Sequence, residues 1–337
     1  MSAVASDSFV AVDWGTTRLR ASLVGPDGAV AATTQSDAGV QSVPAGGFPA
    51  ALDAACRPWF EARPDVPVLM SGMVGSRNGW AEAPYAPCPA GAGEIAARLF
   101  PVPGAGRSVS IVPGVDCRWP DGSYDVMRGE EVQALGTGLS DGLISLPGTH
   151  GKWIEMRDGR IARFATFVTG ELFAAVSASF VGRLAEEPHD DPAGSALAAE
   201  AARAPGGLTR ALFQARARVL GGDLPPRGVR PFLSRLIVEA EIAGALDLLG
   251  FQHRAGADAG AVAHGAGEAR DAVERLGRVQ RHFEDGDAGR HEGFPDRHGL
   301  ARLDAAQDGD DRHGAEAVLE MRLEARRFGH GLSSSRP

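Results

Sequence analysis

Phe9-Val10-Ala11-Val12-Asp13-Trp14-Gly15-Thr16-Thr17-Arg18-Leu19, residues 9–19, is the stretch from which the fold is read. Four apolar residues run into a carboxylate, then a glycine and two hydroxyls turn the chain before the segment 19–24 continues. A second reversal, Gly25-Pro26-Asp27-Gly28, leads into residues 29–34. The pattern is strand, polar corner, strand, turn, strand. Such a corner suits an anion, because Gly15 lets the backbone approach closely and Thr16 and Thr17 offer N–H and hydroxyl donors. Asp13 beside it suits Mg2+, which takes oxygen ligands and keeps several waters. An ordinary Asx-type turn would use the same residue types.

Working outward, residues 48–60 suit a helix, 66–70 and 109–112 suit buried strands, and 130–139 suit a short helix entering a new unit. That unit begins with the apolar run 143–146, then Pro147-Gly148-Thr149-His150-Gly151-Lys152. Residues 153–156, the turn Arg157-Asp158-Gly159 and residues 160–168 follow. The order of parts repeats that of residues 9–34, with Gly-Thr at the same corner and an offset near 133 residues. We read an internal duplication with a boundary near residue 140. Gly148 and Thr149 would grip further phosphates, Lys152 would add positive charge, and His150 would donate to a phosphate oxygen. Both His150 and Lys152 would also fit as solvent-facing hairpin residues.

Residues 171–250 read as mainly helical, best between Pro231 and Leu249, where Leu233, Leu236, Ile237, Ala240 and Ala243 share one face. Residues 251–337 differ in character, with no isoleucine, four valines, thirteen arginines and seven of the nine histidines. They read as a polar tail, or as a segment translated out of frame from a GC-rich gene.

The 337 residues have room for two domains, and 44% hydrophobic content supplies two cores. A net charge of −9 with interspersed signs argues against a nucleic-acid surface. Cys56, Cys88 and Cys117 form no CxxC pair, so neither a disulfide framework nor a zinc site is expected. No run approaches 18 apolar residues and the N-terminus has no signal pattern, so a soluble cytoplasmic protein with no membrane partner is expected.

DWGTTRLR at 13–20, SGMVGSRNGW at 71–80, VMRGEE at 126–131, PGTHGKW at 147–153, VTGEL at 168–172 and FLSRLIVEAEIAGAL at 232–246 resemble the 2-dehydro-3-deoxygalactonokinases. The matches run in order over residues 9–249 and stop at Gly250, where composition changes. The resemblance implies an α/β fold of two RNase-H-like domains of the actin/hexokinase type, 8–139 and 140–250, flanking a nucleotide cleft. The second would be incomplete if 251–337 is out of frame. It also implies ATP with Mg2+ as donor and 2-keto-3-deoxygalactonate as acceptor, phosphorylated on its terminal hydroxyl. The alternatives are another keto-deoxy sugar acid as acceptor, or an impaired pseudokinase that only binds.

An acceptor bearing a carboxylate calls for an arginine fork and short polar groups. The glycine-rich loop with Gly72, Met73, Ser76 and Arg77 follows a strand and would line it, with Arg77 as clamp and Arg18 and Arg128 as competitors. Phosphoryl transfer also needs a carboxylate to take the hydroxyl proton. Glu130, then Glu131, are the candidates, although both would equally serve the N-terminal dipole of their helix.

Overall fold

The computed structural model describes residues 7–189, 191–249 and 301–302. These divide into two compact units. One holds the described residues up to Gly142 together with Ile154–Phe164; the other holds Leu143–Trp153 and the described residues from Ala165 onward.

In the first unit, β1 (Phe9–Trp14), β2 (Leu19–Val24) and β3 (Val30–Ser36) form an antiparallel meander. Helix α1 (Phe48–Ala62) follows and buries Phe48, Leu52, Cys56 and Phe60, one residue per turn on one face. Strand β4 (Val68–Ser71) returns parallel to β1, buried at all four positions. Next come β5 (Tyr85–Pro87), α2 (Ala92–Ala96), β6 (Phe100–Pro101) and β7 (Val109–Ile111). The sheet order is β3-β2-β1-β4-β7-β6, with β4 and β7 parallel. Its core centres on Trp14, which meets Phe48 edge-on at 5.4 Å and Trp80 at 6.4 Å. Trp80 therefore packs against this core. Trp14 Nε1 donates to the Ala38 carbonyl at 2.7 Å, so the buried indole keeps a polar partner.

Two more strands, β8 (Gly114–Arg118) and β9 (Tyr124–Met127), form a small sheet with β5 in the order β5-β8-β9. It delivers the chain to α3 (Glu130–Gly136).

A second meander follows from β10 (Gly142–Leu146), β11 (Gly151–Arg157) and β12 (Arg160–Phe167). The β11–β12 hairpin gives its turn half, Ile154–Phe164, to the first unit. In the second unit, α4 (Thr169–Ala178), α5 (Pro192–Arg203), α6 (Gly207–Gly221) and α7 (Val229–Leu248) pack around Phe173, Phe232, Leu233 and Leu236. Strand β13 (Ala301–Arg302) borders β10, giving the order β12-β11-β10-β13. The rest of the segment 251–337, and with it the question of a polar tail or a frame change, lies outside the described residues.

Both meanders put a Gly-Thr corner between their first two strands. The fold is mixed α/β, and the repeat of parts read from sequence corresponds to β1-β2-β3 and β10-β11-β12.

Candidate active site

Three turns of the first unit converge at one end of its main sheet. Asp13 lies opposite Ser71 in the parallel β1–β4 pair, so both strands end together. Gly72 then takes φ 89° and ψ −156°, a region essentially reserved for glycine. A Cβ there would come 2.9 Å from the Trp14 carbonyl and 3.3 Å from Asp13 Oδ1. Gly129, at φ 108°, closes the third turn, and its own Cβ would sit 3.3 Å from Gly72 Cα. Two glycines thus let the α3 start approach the carboxylate at the tip of β1.

The Asp13 carboxylate, Thr16 and Thr17 are exposed at this end, and Arg20 Nη1 stands 4.0 Å from Asp13 Oδ2. The corner itself is fixed by backbone bonds: Gly15 N–H donates to Arg18 at 2.9 Å, and Val40 and Gln41 N–H donate to the Gly15 and Thr16 carbonyls. Gly15 therefore serves the turn with its N–H.

The proposed acceptor loop is a single 3-10 turn, Met73–Gly75, with Met73 37% exposed and Ser76 Oγ donating to the Met73 carbonyl at 2.7 Å. Arg77 is open, its side chain 85% exposed and 3.8 Å from Glu82. Arg18 is one-third exposed, 3.8 Å from Asp37. Arg128 is held more tightly than Arg77 or Arg18. Its Nη2 donates to the Ala83 carbonyl at 2.8 Å and its guanidinium lies 4.3 Å over the Tyr85 ring. Its side chain is half-buried, with Nε and Nη1 out of solvent and without a hydrogen-bond partner among the described residues.

The two glutamates separate. Glu130 is half-buried, its Oε2 accepting from the Arg128 N–H at 3.0 Å. Glu131 is fully buried, its Oε2 accepting from the Gly129 N–H at 2.7 Å while Oε1 has no hydrogen-bond partner among the described residues. Burial pushes its carboxyl up to about 8, with neighbouring Glu130 adding to the rise. A buried, protonated carboxyl is badly placed to take a proton from a bound hydroxyl. Its burial keeps Glu131 behind Glu130, in the order in which the sequence ranks them.

In the second unit, Gly148, Thr149 and His150 are exposed at the β10–β11 corner. The corner rests on α4: the Glu171 N–H donates to the Thr149 carbonyl at 3.1 Å, and a Cβ on Gly170 would come 2.6 Å from the Gly148 carbonyl. His150 Nε2 meets Glu171 Oε2 at 2.6 Å. Lys152 is only 4% exposed, its Nζ donating to the His150 carbonyl at 3.3 Å, so it faces inward and not into solvent.

Tyr85, under Arg128, and Glu241, whose Oε1 accepts from Trp153 Nε1 at 2.7 Å, lie in or beside stretches that carry the family resemblance, but the sequence assigned neither a role. Burial raises the Glu241 carboxyl, against bonds from Thr169 and Trp153 that lower it. A signal was present: Glu241 stands four residues after Ile237 and eight after Leu233, on the apolar face of α7.

The donor set fits Mg2+. The ion needs only one or two carboxylates when phosphates and waters complete its shell, and Asp13 is one exposed carboxylate beside two hydroxyls.

The family model described as 2-keto-3-deoxy-galactonokinase matches residues 13–266, running past Gly250 where the sequence reading ended. A provisionally assigned 2-dehydro-3-deoxygalactonokinase of Rhizobium meliloti (strain 1021) is 38% identical over 250 residues, covering 71% of this chain and 80% of that protein. The 2-dehydro-3-deoxygalactonokinase of Escherichia coli (strain K12) is 37% identical over 251 residues, covering 73% and 82%. A crystal structure of a provisionally assigned 2-dehydro-3-deoxygalactonokinase from Sinorhizobium meliloti superposes with TM-score 0.70 at 28% identity, covering 95% of this chain and 99% of that one. With three quarters of its length matched in the order of its motifs, this chain belongs to the 2-keto-3-deoxy-galactonokinase family.

Proposed function

We propose that the chain transfers the terminal phosphoryl group of ATP to the C6 hydroxyl of 2-keto-3-deoxygalactonate, with its units acting as the two lobes of an actin/hexokinase-type kinase. The observation that carries this reading is the repeated corner. Each meander exposes Gly-Thr between its first two strands, and the first adds an exposed carboxylate, Asp13.

Loose phosphoryl-transfer transition states need alignment and charge neutralisation more than covalent help. Thr16, Thr17 and Thr149 supply donors to phosphate oxygens, and Asp13 holds Mg2+ directly or through water. The ion, when bound, neutralises charge on the phosphate oxygens. On the acceptor side, Arg77 is the exposed guanidinium that would exchange its loose pairing with Glu82 for the substrate carboxylate. Gly72, Met73 and Ser76 line the turn beside it, and Arg18 stands at the edge of the phosphate corner. Arg128 acts from beneath, stacking on Tyr85 to fix the turn that carries Glu130. Glu130 takes the proton of the attacking hydroxyl.

The test is a coupled assay with MgATP and a panel of keto-deoxy sugar acids. Transfer to 2-keto-3-deoxygalactonate in preference to the panel supports the reading, and equal or absent transfer removes it. Arg77→Ala then raises KM for the sugar acid and leaves KM for ATP unchanged; the reverse pattern removes the clamp assignment.

A further inference from the structure

We infer that Glu241, on α7, is a positioning residue for the 147–152 corner, which it braces in the shape that receives the phosphates. The inference rests on the phosphate-loop reading of that corner.

A carboxylate on the buried face of a helix needs a reason. Its neighbours Ile237, Ile242 and Ala245 are buried, and desolvation works against its charge. Its contacts all lie on the frame of the corner. Trp153 Nε1 donates to Oε1 at 2.7 Å, two residues beyond the corner glycine. The Thr169 hydroxyl donates to the same carboxylate from the first residue of α4. Gly151 itself lies so close that a Cβ there would stand 2.8 Å from Oε1.

These three contacts tie together pieces of backbone that each bound the loop. Gly151 and Trp153 belong to the start of β11, where the chain leaves the corner. Thr169 starts α4, whose next two residues support the tip: Gly170 packs on Gly148 and Thr149, and the Glu171 N–H donates to the Thr149 carbonyl at 3.1 Å. One carboxylate therefore sets the distance between the exit strand and the helix on which Thr149 rests. Positioning of this kind acts on ligand affinity through groups that never touch the ligand. Glycine at 151 follows from the same arrangement, since any side chain would displace the carboxylate.

The experiment uses the full chain and measures KM for MgATP, KM for the sugar acid, kcat and the thermal midpoint. The variants are Glu241→Ala, Glu241→Gln, Trp153→Phe and Thr149→Val. Glu241→Ala should raise KM for MgATP about tenfold or more and leave the sugar-acid KM within about twofold, since only the corner is loosened. Glu241→Gln should recover most of the loss, because an amide oxygen still accepts from Trp153. If Glu241→Ala fails to fold, Trp153→Phe, which removes the indole donor and keeps a ring, should show the same nucleotide-selective defect. A drop in thermal midpoint with both KM values moved alike, or with neither moved, overturns the inference and leaves Glu241 a packing residue. Thr149→Val separates the two levels. Weakened nucleotide binding there with none from Glu241→Ala or Trp153→Phe removes only the brace, whereas no effect from any of them removes the phosphate-loop reading as well.

Discussion

Glu130 and Glu131 are neighbours in sequence with opposite surroundings, and their contrast gives two predictions. Glu130, half-buried beside the Asp13 turn, is the proposed base, and such a group contributes about 10²–10⁴-fold to rate. Glu130→Gln should lower kcat at least about a hundredfold with KM for ATP unchanged. Steady-state kinetics checks this, and near-normal turnover would return Glu130 to a purely structural part in the α3 start. Glu131 titrates near 8 in the folded chain against about 4.5 for an ordinary glutamate, because burial opposes its charge. Between those values the folded chain holds a proton that the unfolded chain releases. Stability from this group is therefore complete below about pH 4.5, drains away as pH rises towards 8, and stays lost above it. Glu131→Gln cannot ionise and lacks that slope. Relative to the parent it should gain on the order of a few kcal/mol at pH 8 and nothing below the unfolded value. Urea melts at pH 5 and pH 8 test it, and parallel pH dependence in both proteins would mean Glu131 is not protonated in the fold.

At the scale of elements, the turn after β4 decides whether the site assembles. Gly72 occupies a backbone region that costs other residues about 1–3 kcal/mol, and a Cβ would also press on the Trp14 carbonyl. Gly72→Ala should destabilise by at least that amount and lower kcat as well, since Trp14 and Asp13 are adjacent at the tip of β1; a variant as stable and active as the parent would remove the glycine argument. Trp14→Ala, by contrast, should cost about 3–5 kcal/mol with little selectivity between substrates, since it empties the centre of the first core. These elements were legible because their patterns are strong. Val10 and Val12 are buried on one face of β1, and Leu233, Leu236 and Ile237 repeat at helical spacing in α7. The β5-β8-β9 sheet escaped sequence reading. Tyr85–Pro87 is three residues long and ends in proline, and β9 leaves Tyr124 and Val126 exposed, so neither shows a periodic apolar face. The site divided in the same way. Asp13 and the Gly-Thr corners stand out through local turn chemistry. Tyr85 under Arg128 and Glu241 behind Gly151 act through contacts 43 and 90 residues apart in sequence, so helical spacing can put Glu241 on the apolar face of α7 but cannot name its partners.

At the scale of the whole molecule, the duplication makes a claim that neither unit makes alone. Thr16 belongs to the first unit and Thr149 to the second, each exposed at the same corner of its meander. If the duplication serves one nucleotide, both threonines donate to the same ligand, and a hydrogen bond to a charged acceptor contributes about 1.5–3 kcal/mol. Thr16→Val and Thr149→Val should then each weaken a non-hydrolysable MgATP analogue about 10- to 100-fold and leave sugar-acid affinity within about twofold. The analogue at about a hundred times its Kd should stabilise the parent by about 2.7 kcal/mol, and either variant at the same ligand concentration by correspondingly less. Calorimetry and ligand-dependent thermal melts read both quantities on the intact chain. If Thr16→Val affected only the sugar acid, or Thr149→Val affected neither ligand, the repeated corners would not share a nucleotide. The repeated corner would then be a likeness of the two meanders without a part in catalysis.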